Sequence, residues 1–136
     1  MNYIILKNEI LNDPKSLGYA GKEIYQIVDL LNVIGLSNEV IDRGIIASYE
    51  VINATIPAEW AALTAQEKQR YQTITGAGQI DSSNKNVRAT FQAMFVAGTQ
   101  TRTNLIALLT RLCSRAEALG IGNVNNEDVI KAKKEQ

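Results

Sequence analysis

Apolar residues recur at helical spacing over most of the chain. Between residues 22 and 32, four of them fall at i, i+3, i+4 and i+7, which places them on one face of an amphipathic helix. They are Ile24, Ile27, Val28 and Leu31. Shorter helices are predicted at 3–11 and 126–134, and the second has acidic residues at its start and lysines at its end, as the helix dipole favours.

The middle of the chain is also predicted to be helical, with short breaks. One helix is predicted to begin near Ile45 and to end before Pro57. Its apolar face is formed by Ile45, Tyr49, Ile52 and Ile56. The sequence Thr64 to Glu67 matches a capping box, which predicts a further helix from Thr64 to about Thr75. Residues 84–96 carry another apolar face, and Gly98 follows as a predicted left-handed cap.

Two segments leave alternatives open. Apolar residues from Leu105 to Leu119 form the longest stripe in the chain, but Ser114 and Glu117 offer a second capping box. This helix either continues to Leu119 or breaks at Ser114. Residues 33–43 mix glycine, serine and asparagine with isolated apolar residues, which fits a short extended piece or a buried loop equally well.

About six to seven short helices with short connections predict an all-α fold, a small irregular or orthogonal bundle that forms a single helical domain over residues 1–136. No strand is predicted. No stretch approaches the roughly 18 apolar residues of a membrane span. We therefore expect a soluble protein made in a reducing cytoplasm, with no membrane partner.

The composition excludes several kinds of chemistry. The chain of 136 residues has no histidine and one cysteine, Cys113. Catalytic triads that depend on histidine are therefore impossible, and imidazole or multiple-thiolate metal sites cannot form. We expect neither an enzyme nor a protein that binds a metal or cofactor, and we expect Cys113 to be a small core residue.

Charge is distributed unevenly along the chain. Residues 1–68 contain five basic and nine acidic residues, whereas residues 69–136 contain nine basic and five acidic residues. These charges either pair within the molecule or lie in solvent, or the acidic half of one copy meets the basic half of another copy or another protein. The interface candidates are the basic residues Arg88, Arg102, Arg111 and Arg115 and the acidic residues Glu39, Glu50, Glu59 and Glu67.

Nucleic acid is a less favoured partner. Residues 84–96, the turn at Gly98 and residues 101–113 resemble a helix-turn-helix, with Thr101, Arg102, Thr103 and Asn104 at the start of the recognition helix. A net charge of zero and a pI of about 6.3 weaken this interpretation, because DNA-binding surfaces are usually strongly basic.

Several short motifs, taken in order, resemble a group of small proteins encoded by tailed bacteriophages and prophages. The similarity covers nearly the whole chain, and its specificity comes from the order of the motifs. They are residues 13–21 (DPKSLGYAG), 28–32 (VDLLN), 57–63 (PAEWAAL), 86–88 (NVR) with Phe91 and Phe95, Thr101-Arg102, Leu105, Ala107-Leu108, Arg111 and 114–117 (SRAE).

The resemblance implies a context rather than a site, because no functional residue of the group can be transferred to this chain. It implies a phage genome, expression in the bacterial host cytoplasm during infection and a place in the virion. The expected function is that of a non-enzymatic structural or assembly protein, as a virion, neck, tail or capsid-associated subunit. Its partners would be other phage structural proteins or further copies of itself. The alternative is a phage-encoded regulator or an inhibitor of a host protein.

Overall fold

A computed structural model of the protein describes residues 1–135 and is mainly helical. Over these residues it contains nine helices and four strands of three residues each. They are α1 (Tyr3–Asn12), α2 (Ile24–Asn32), β1 (Val40–Asp42), β2 (Ile45–Ala47), α3 (Ser48–Ala54), α4 (Pro57–Ala61), α5 (Ala65–Thr75), β3 (Gln79–Asp81), α6 (Lys85–Met94), α7 (Gln100–Leu109), β4 (Thr110–Leu112), α8 (Arg115–Ala118) and α9 (Asn126–Lys134).

The helical character predicted from the sequence is confirmed, but the predicted all-α fold of about six to seven helices is not, because the described residues form nine helices and also short strands. Strand β1 pairs with β4, and β2 pairs with β3, in two small sheets. The prediction of no strands was therefore wrong. Strands of three residues are too short to show a clear alternation of apolar and polar positions, so periodicity alone could not reveal them.

The described chain divides into two compact units. Unit 1 comprises residues 1–41 together with the chain from Leu112 onward, and unit 2 comprises residues 42–111. Each unit has its own cluster of buried apolar side chains. The single domain over residues 1–136 remains a prediction.

Unit 1 is built from α1, α2, α8 and α9. Helices α1 and α2 both pack against α9, and α2 also packs against α8. The core contains Leu6, Ile27, Leu31 and Val129, all essentially inaccessible to solvent. The amphipathic face predicted for α2 is therefore confirmed, because Ile27 and Leu31 are buried on it and Ile24 and Val28 pack at its edge.

Unit 2 has a core with a larger aromatic contribution. Helix α3 packs against both α5 and α7, and α5 packs against α6. The ring of Tyr71 meets Phe91 and Phe95 edge-on, with ring centroids 6.5 and 6.3 Å apart. Such edge-to-face pairs add to the stabilisation that burial of the rings provides.

The helix predicted to begin near Ile45 begins three residues later. Residues 45–47 form β2 instead, antiparallel to β3, with Ile46 opposite Ile80 and both side chains buried. The Glu50 carboxylate then accepts a hydrogen bond from the Ala47 N–H (3.2 Å), which marks the start of α3 at Ser48. β-Branched residues such as Ile45 and Ile46 are compatible with a strand, and their pairing with β3, more than 30 residues away, selects the strand over the helix that their spacing predicted.

The long leucine-rich stripe is interrupted, as the second capping box allowed. Helix α7 ends at Leu109, β4 follows, and α8 begins after Ser114. The Ser114 hydroxyl accepts a hydrogen bond from the Glu117 N–H, and the Glu117 carboxylate accepts one from the Ser114 N–H, both at 3.1 Å. A continuous helix to Leu119 was wrong. The extended piece allowed within residues 33–43 is present as β1.

Other predicted boundaries are confirmed. Thr64 and Glu67 form the predicted capping box at the start of α5, with bonds of 3.1 and 3.0 Å. Gly98 has the left-handed backbone conformation, and Cys113 is fully buried.

Within residues 1–135, no helix has both the length and the apolar character needed to cross a membrane.

Candidate interaction surface

The charges divide between the units less sharply than between the two halves of the sequence. Unit 1 contains seven basic and nine acidic side chains, and unit 2 contains seven basic and five acidic ones. The difference is smaller because the chain from Leu112 onward, which includes Arg115 and three lysines, folds with the acidic amino-terminal segment. Opposite net charges nevertheless remain on the two units.

Two of the eight interface candidates belong to a buried ionic cluster in unit 1. The Arg115 guanidinium donates from Nε and Nη2 to the Glu9 carboxylate at 2.8–3.0 Å, and from Nη1 to the Glu39 carboxylate at 2.9 and 3.1 Å. The Tyr19 hydroxyl donates to Glu9 as well, at 2.9 Å. Glu9 is the partner of Arg115 that sequence analysis missed, because 106 residues separate the two.

The electrostatics of this cluster favour a charged Arg115 guanidinium, a charged Glu39 carboxylate and a neutral Tyr19 hydroxyl. The hydrogen bonds from Arg115 to Glu9 raise the pKa of the guanidinium above its ordinary value. Burial acts to raise the pKa of Glu39, but the Ser37 hydroxyl first, and then the hydrogen bonds and charge of Arg115, outweigh it, and this pKa lies below its usual range. Burial, together with the hydrogen bond to Glu9, raises the pKa of Tyr19. The cluster is therefore a fixed ionic link between α1, α8 and the segment before β1.

Three acidic candidates have roles within unit 2. Glu50 pairs with Arg43 (2.9 Å), and Glu67 completes the capping box of α5. Glu59 accepts hydrogen bonds at the amino terminus of α7 from the Thr101 hydroxyl (2.6 Å) and from the backbone N–H groups of Thr101 (2.7 Å) and Gln100 (2.9 Å). These donors, the Thr101 hydroxyl above all, hold the pKa of the Glu59 carboxyl below its usual range.

The same contacts bear on the helix-turn-helix interpretation. Thr101 is completely buried, and its hydroxyl also accepts a hydrogen bond from the Ile56 N–H (2.9 Å). Asn104 donates to the carbonyl oxygen of Ala54 (2.9 Å). Two of the four residues proposed for base contacts are thus engaged in holding α7, and the carboxylate of Glu59 covers the helix end that would approach a phosphate. This arrangement leaves less of the start of α7 available for contacts with DNA.

The remaining basic candidates lie in unit 2. Arg88 forms an ion pair with Asp42 at 2.5 Å, with both side chains more than a third exposed. Arg111 lies in β4 and is exposed. Arg102, in the first turn of α7, is half-buried and forms no hydrogen bond or ion pair through its guanidinium with any residue in 1–135. Among the predicted interface residues, Arg102 is therefore the clearest candidate for contact with another molecule.

Arg102 lies beside a small apolar groove between α6 and α7. Buried side chains of Phe91, Leu105 and Leu109 line the groove, together with the exposed Ile106 and the Arg88 side chain. The groove has a volume of about 40 Å³. Sites for small molecules usually enclose about 300–1,000 Å³, so this groove suits one apolar side chain of a partner better than a cofactor or substrate.

Unit 1 presents an exposed apolar surface that carries an acidic side chain. It is formed by α2 and the turn that follows it. Tyr25, Val33, Ile34 and Leu36 are each between 44% and 63% exposed. Asp29 lies one helical turn after Tyr25, is exposed, and forms no side-chain hydrogen bond or ion pair with any described residue. Clustered exposed apolar side chains are typical of interaction sites. We call these five residues the α2 face.

A second exposed apolar surface lies on α3. Tyr49 and Ile52, spaced i, i+3, are 64% and 53% exposed, whereas Val51 on the opposite side is fully buried. The apolar face predicted from Ile45 to Ile56 therefore faces solvent over most of its length, since Ile45 is also 62% exposed. The neighbouring charged residues Arg43 and Glu50 already neutralise each other.

No metal-binding cluster of three or more acidic or cysteine side chains occurs within residues 1–135. Comparison of the chain with family models, with curated proteins and with solved structures gives no match.

Proposed function

We propose that the protein is a non-enzymatic structural or assembly subunit that acts through protein–protein contacts. One observation carries this proposal. Each unit has an apolar surface site beside a charged side chain that has no partner within the described chain: in unit 1 the exposed Val33 and Leu36 lie beside Asp29, and in unit 2 the α6/α7 groove, whose exposed apolar side chain is Ile106, lies beside Arg102. A partner surface that covers such a cluster removes apolar area from water and supplies the missing opposite charge.

The proposed setting follows from the resemblance described above. Small proteins of tailed bacteriophages that occupy the virion, neck, tail or capsid build symmetric assemblies from repeated contacts. That role needs well-ordered contact surfaces, and the buried Arg115 cluster orders unit 1 while the aromatic core orders unit 2. The partners are other phage structural proteins or further copies of this chain, and the sites of action are the bacterial host cytoplasm during infection and the virion.

The test is quantitative mass spectrometry of purified virions from the phage or induced prophage that encodes the chain. A fixed copy number per particle is expected for a structural subunit. A protein needed only during assembly would instead be found in particle precursors isolated from infected cells. Absence from both particles and precursors would overturn the proposal and favour a regulator or an inhibitor of a host protein.

A further inference from the structure

We infer that the α6/α7 groove of one copy binds the α2 face of a second copy, with Arg102 of the first paired with Asp29 of the second. This inference rests on the proposed function and specifies its interface.

The groove requires an acidic partner. Helices α6 and α7 contain no acidic residue, while Arg88 and Arg102 both border the groove. The two nearby acids are already engaged, Asp42 with Arg88 and Glu59 with the amino terminus of α7. An occupant that brings a carboxylate would therefore neutralise Arg102, while its apolar side chain fills the small apolar space beside Ile106.

The α2 face supplies both features. Asp29 is the carboxylate, and Val33 and Leu36 line the same open groove of about 330 Å³ on unit 1, to which the exposed Lys22 also contributes. The net side-chain charge of unit 1 is negative and that of unit 2 is positive, so the long-range field favours the same pairing.

The α3 face fits the groove less well. It exposes comparable apolar area, but its charged neighbours Arg43 and Glu50 pair with each other, so it has no carboxylate to offer Arg102. Ile52 of α3 therefore serves as a matched control for Ile106 of α7, because the two side chains are 53% and 55% exposed.

A contact between two different surfaces has a consequence for assembly. Each copy that uses its α2 face in one contact still has its groove available, and the reverse also holds. Such heterologous contacts build rings when the rotation closes and filaments when it does not. The protein is therefore expected to form species larger than a dimer, and charge pairing predicts that they dissociate as salt is added.

The experiment measures self-association of the full chain by sedimentation velocity and light scattering over a wide concentration range. Asp29→Arg and Arg102→Asp alone are each expected to weaken association about tenfold or more, because like charges then meet in the contact. The double variant, and an equimolar mixture of the two single variants, should regain association. Ile106→Ser should also weaken association.

The controls are Arg70→Asp, which reverses an exposed arginine on α5, and Ile52→Ser. Circular dichroism is used to check that every variant is folded. A wild-type protein that stays monomeric throughout would overturn the inference. So would equal effects of Arg102→Asp and Arg70→Asp, or a double variant that stays dissociated. Virion mass spectrometry reports separately on the proposed function, since a subunit that binds only other proteins would still be found in particles.

Discussion

Unit 1 and unit 2 use the same type of interaction, arginine with carboxylate, at very different depths. In unit 1 the side chain of Arg115 is 10% exposed, and that of its partner Glu9 is 1% exposed. In unit 2 the side chains of Arg88 and Asp42 are 35% and 38% exposed. The comparison shows that an ionic contact is part of the core in one unit and part of the surface in the other.

The difference in burial of the two ion pairs follows from the kind of structure that each unit contains. The loop after α1 in unit 1 has little regular structure, and polar groups fix it: Asp13 accepts hydrogen bonds from the N–H groups of Leu17 (2.7 Å) and Gly18 (2.8 Å), and Tyr19 reaches Glu9. Unit 2 instead packs helices on an aromatic core. A buried polar network orders an irregular segment only when all its members have hydrogen-bond partners. Removal of one member leaves buried polar groups without partners, so it should lower the free energy of unfolding more than loss of an exposed ion pair does.

The largest expected effect is that of Arg115→Met. This change leaves Glu9 buried without a cationic partner, and the free energy of unfolding should fall by about 3–5 kcal/mol. Urea denaturation followed by circular dichroism measures the loss. Arg88→Met is the matched control in unit 2, and it should cost at most about 1 kcal/mol because its ion pair is exposed. Similar losses for the two variants would contradict the comparison.

Next in size is the effect of removing a side chain that bridges two backbone segments. Asn32 donates to the Val124 carbonyl oxygen (2.7 Å) and accepts from the Val124 N–H (3.0 Å). Asn32→Ala breaks both bonds, and we expect a loss of about 2 kcal/mol in the free energy of unfolding.

Thr101→Val tests the equivalent bridge in unit 2 with little change of shape. It removes the acceptor of the Ile56 N–H, but Glu59 keeps its backbone donors. The expected loss is about 1 kcal/mol, measured by the same urea titration. A cost above that of Asn32→Ala would show that unit 2 depends on buried polar contacts as much as unit 1 does.

An effect of about the same size is expected at an exposed helix start in unit 2. Thr64→Ala removes the hydroxyl that accepts the Glu67 N–H at the beginning of α5. Loss of such a cap usually costs about 1 kcal/mol. Fluorescence of Trp60, the single tryptophan of the chain, reports the unfolding of unit 2 in urea. An unchanged midpoint would mean that the packing of α5, rather than its cap, determines its stability.

Sequence analysis succeeded where the signal was local. The four-residue face of α2 and the capping boxes at Thr64 and Ser114 depend on neighbours within one or two helical turns, and the structure confirms each of them. It failed at Ile45, where two isoleucines fit both helical and extended periodicity. Pairing with Gln79–Asp81, more than 30 residues away, determines the outcome there, and no local pattern contains that information.

The candidate surface was less predictable than the fold. Arg102 was included among the interface residues because of its charge, but the same reasoning included Arg115, which is buried against Glu9. Charge alone does not distinguish the two, because exposure and pairing depend on contacts distant in sequence. The α2 face was missed for the same reason. Val33 and Leu36 are apolar residues of the kind that usually lie in a core, and only the three-dimensional packing leaves them exposed.

The smallest expected effect is a pH dependence of the stability of unit 1, which arises from the buried Tyr19. Burial first, and then the hydrogen bond to Glu9, raise the pKa of Tyr19 above its ordinary value of 10.0. A group whose pKa is raised by folding stabilises the protein fully below its unfolded pKa and less as the pH rises above it. Wild type should therefore lose stability above pH about 10, and Tyr19→Phe should lack that part of the loss.

At neutral pH the variant should be less stable by about 1 kcal/mol, since one hydrogen bond is gone, and this deficit should shrink at alkaline pH. Urea titrations across this range measure it, with Tyr25→Phe, at an exposed position, as the control. A deficit that stays constant through the alkaline range would mean that ionisation of Tyr19 does not oppose the fold of unit 1.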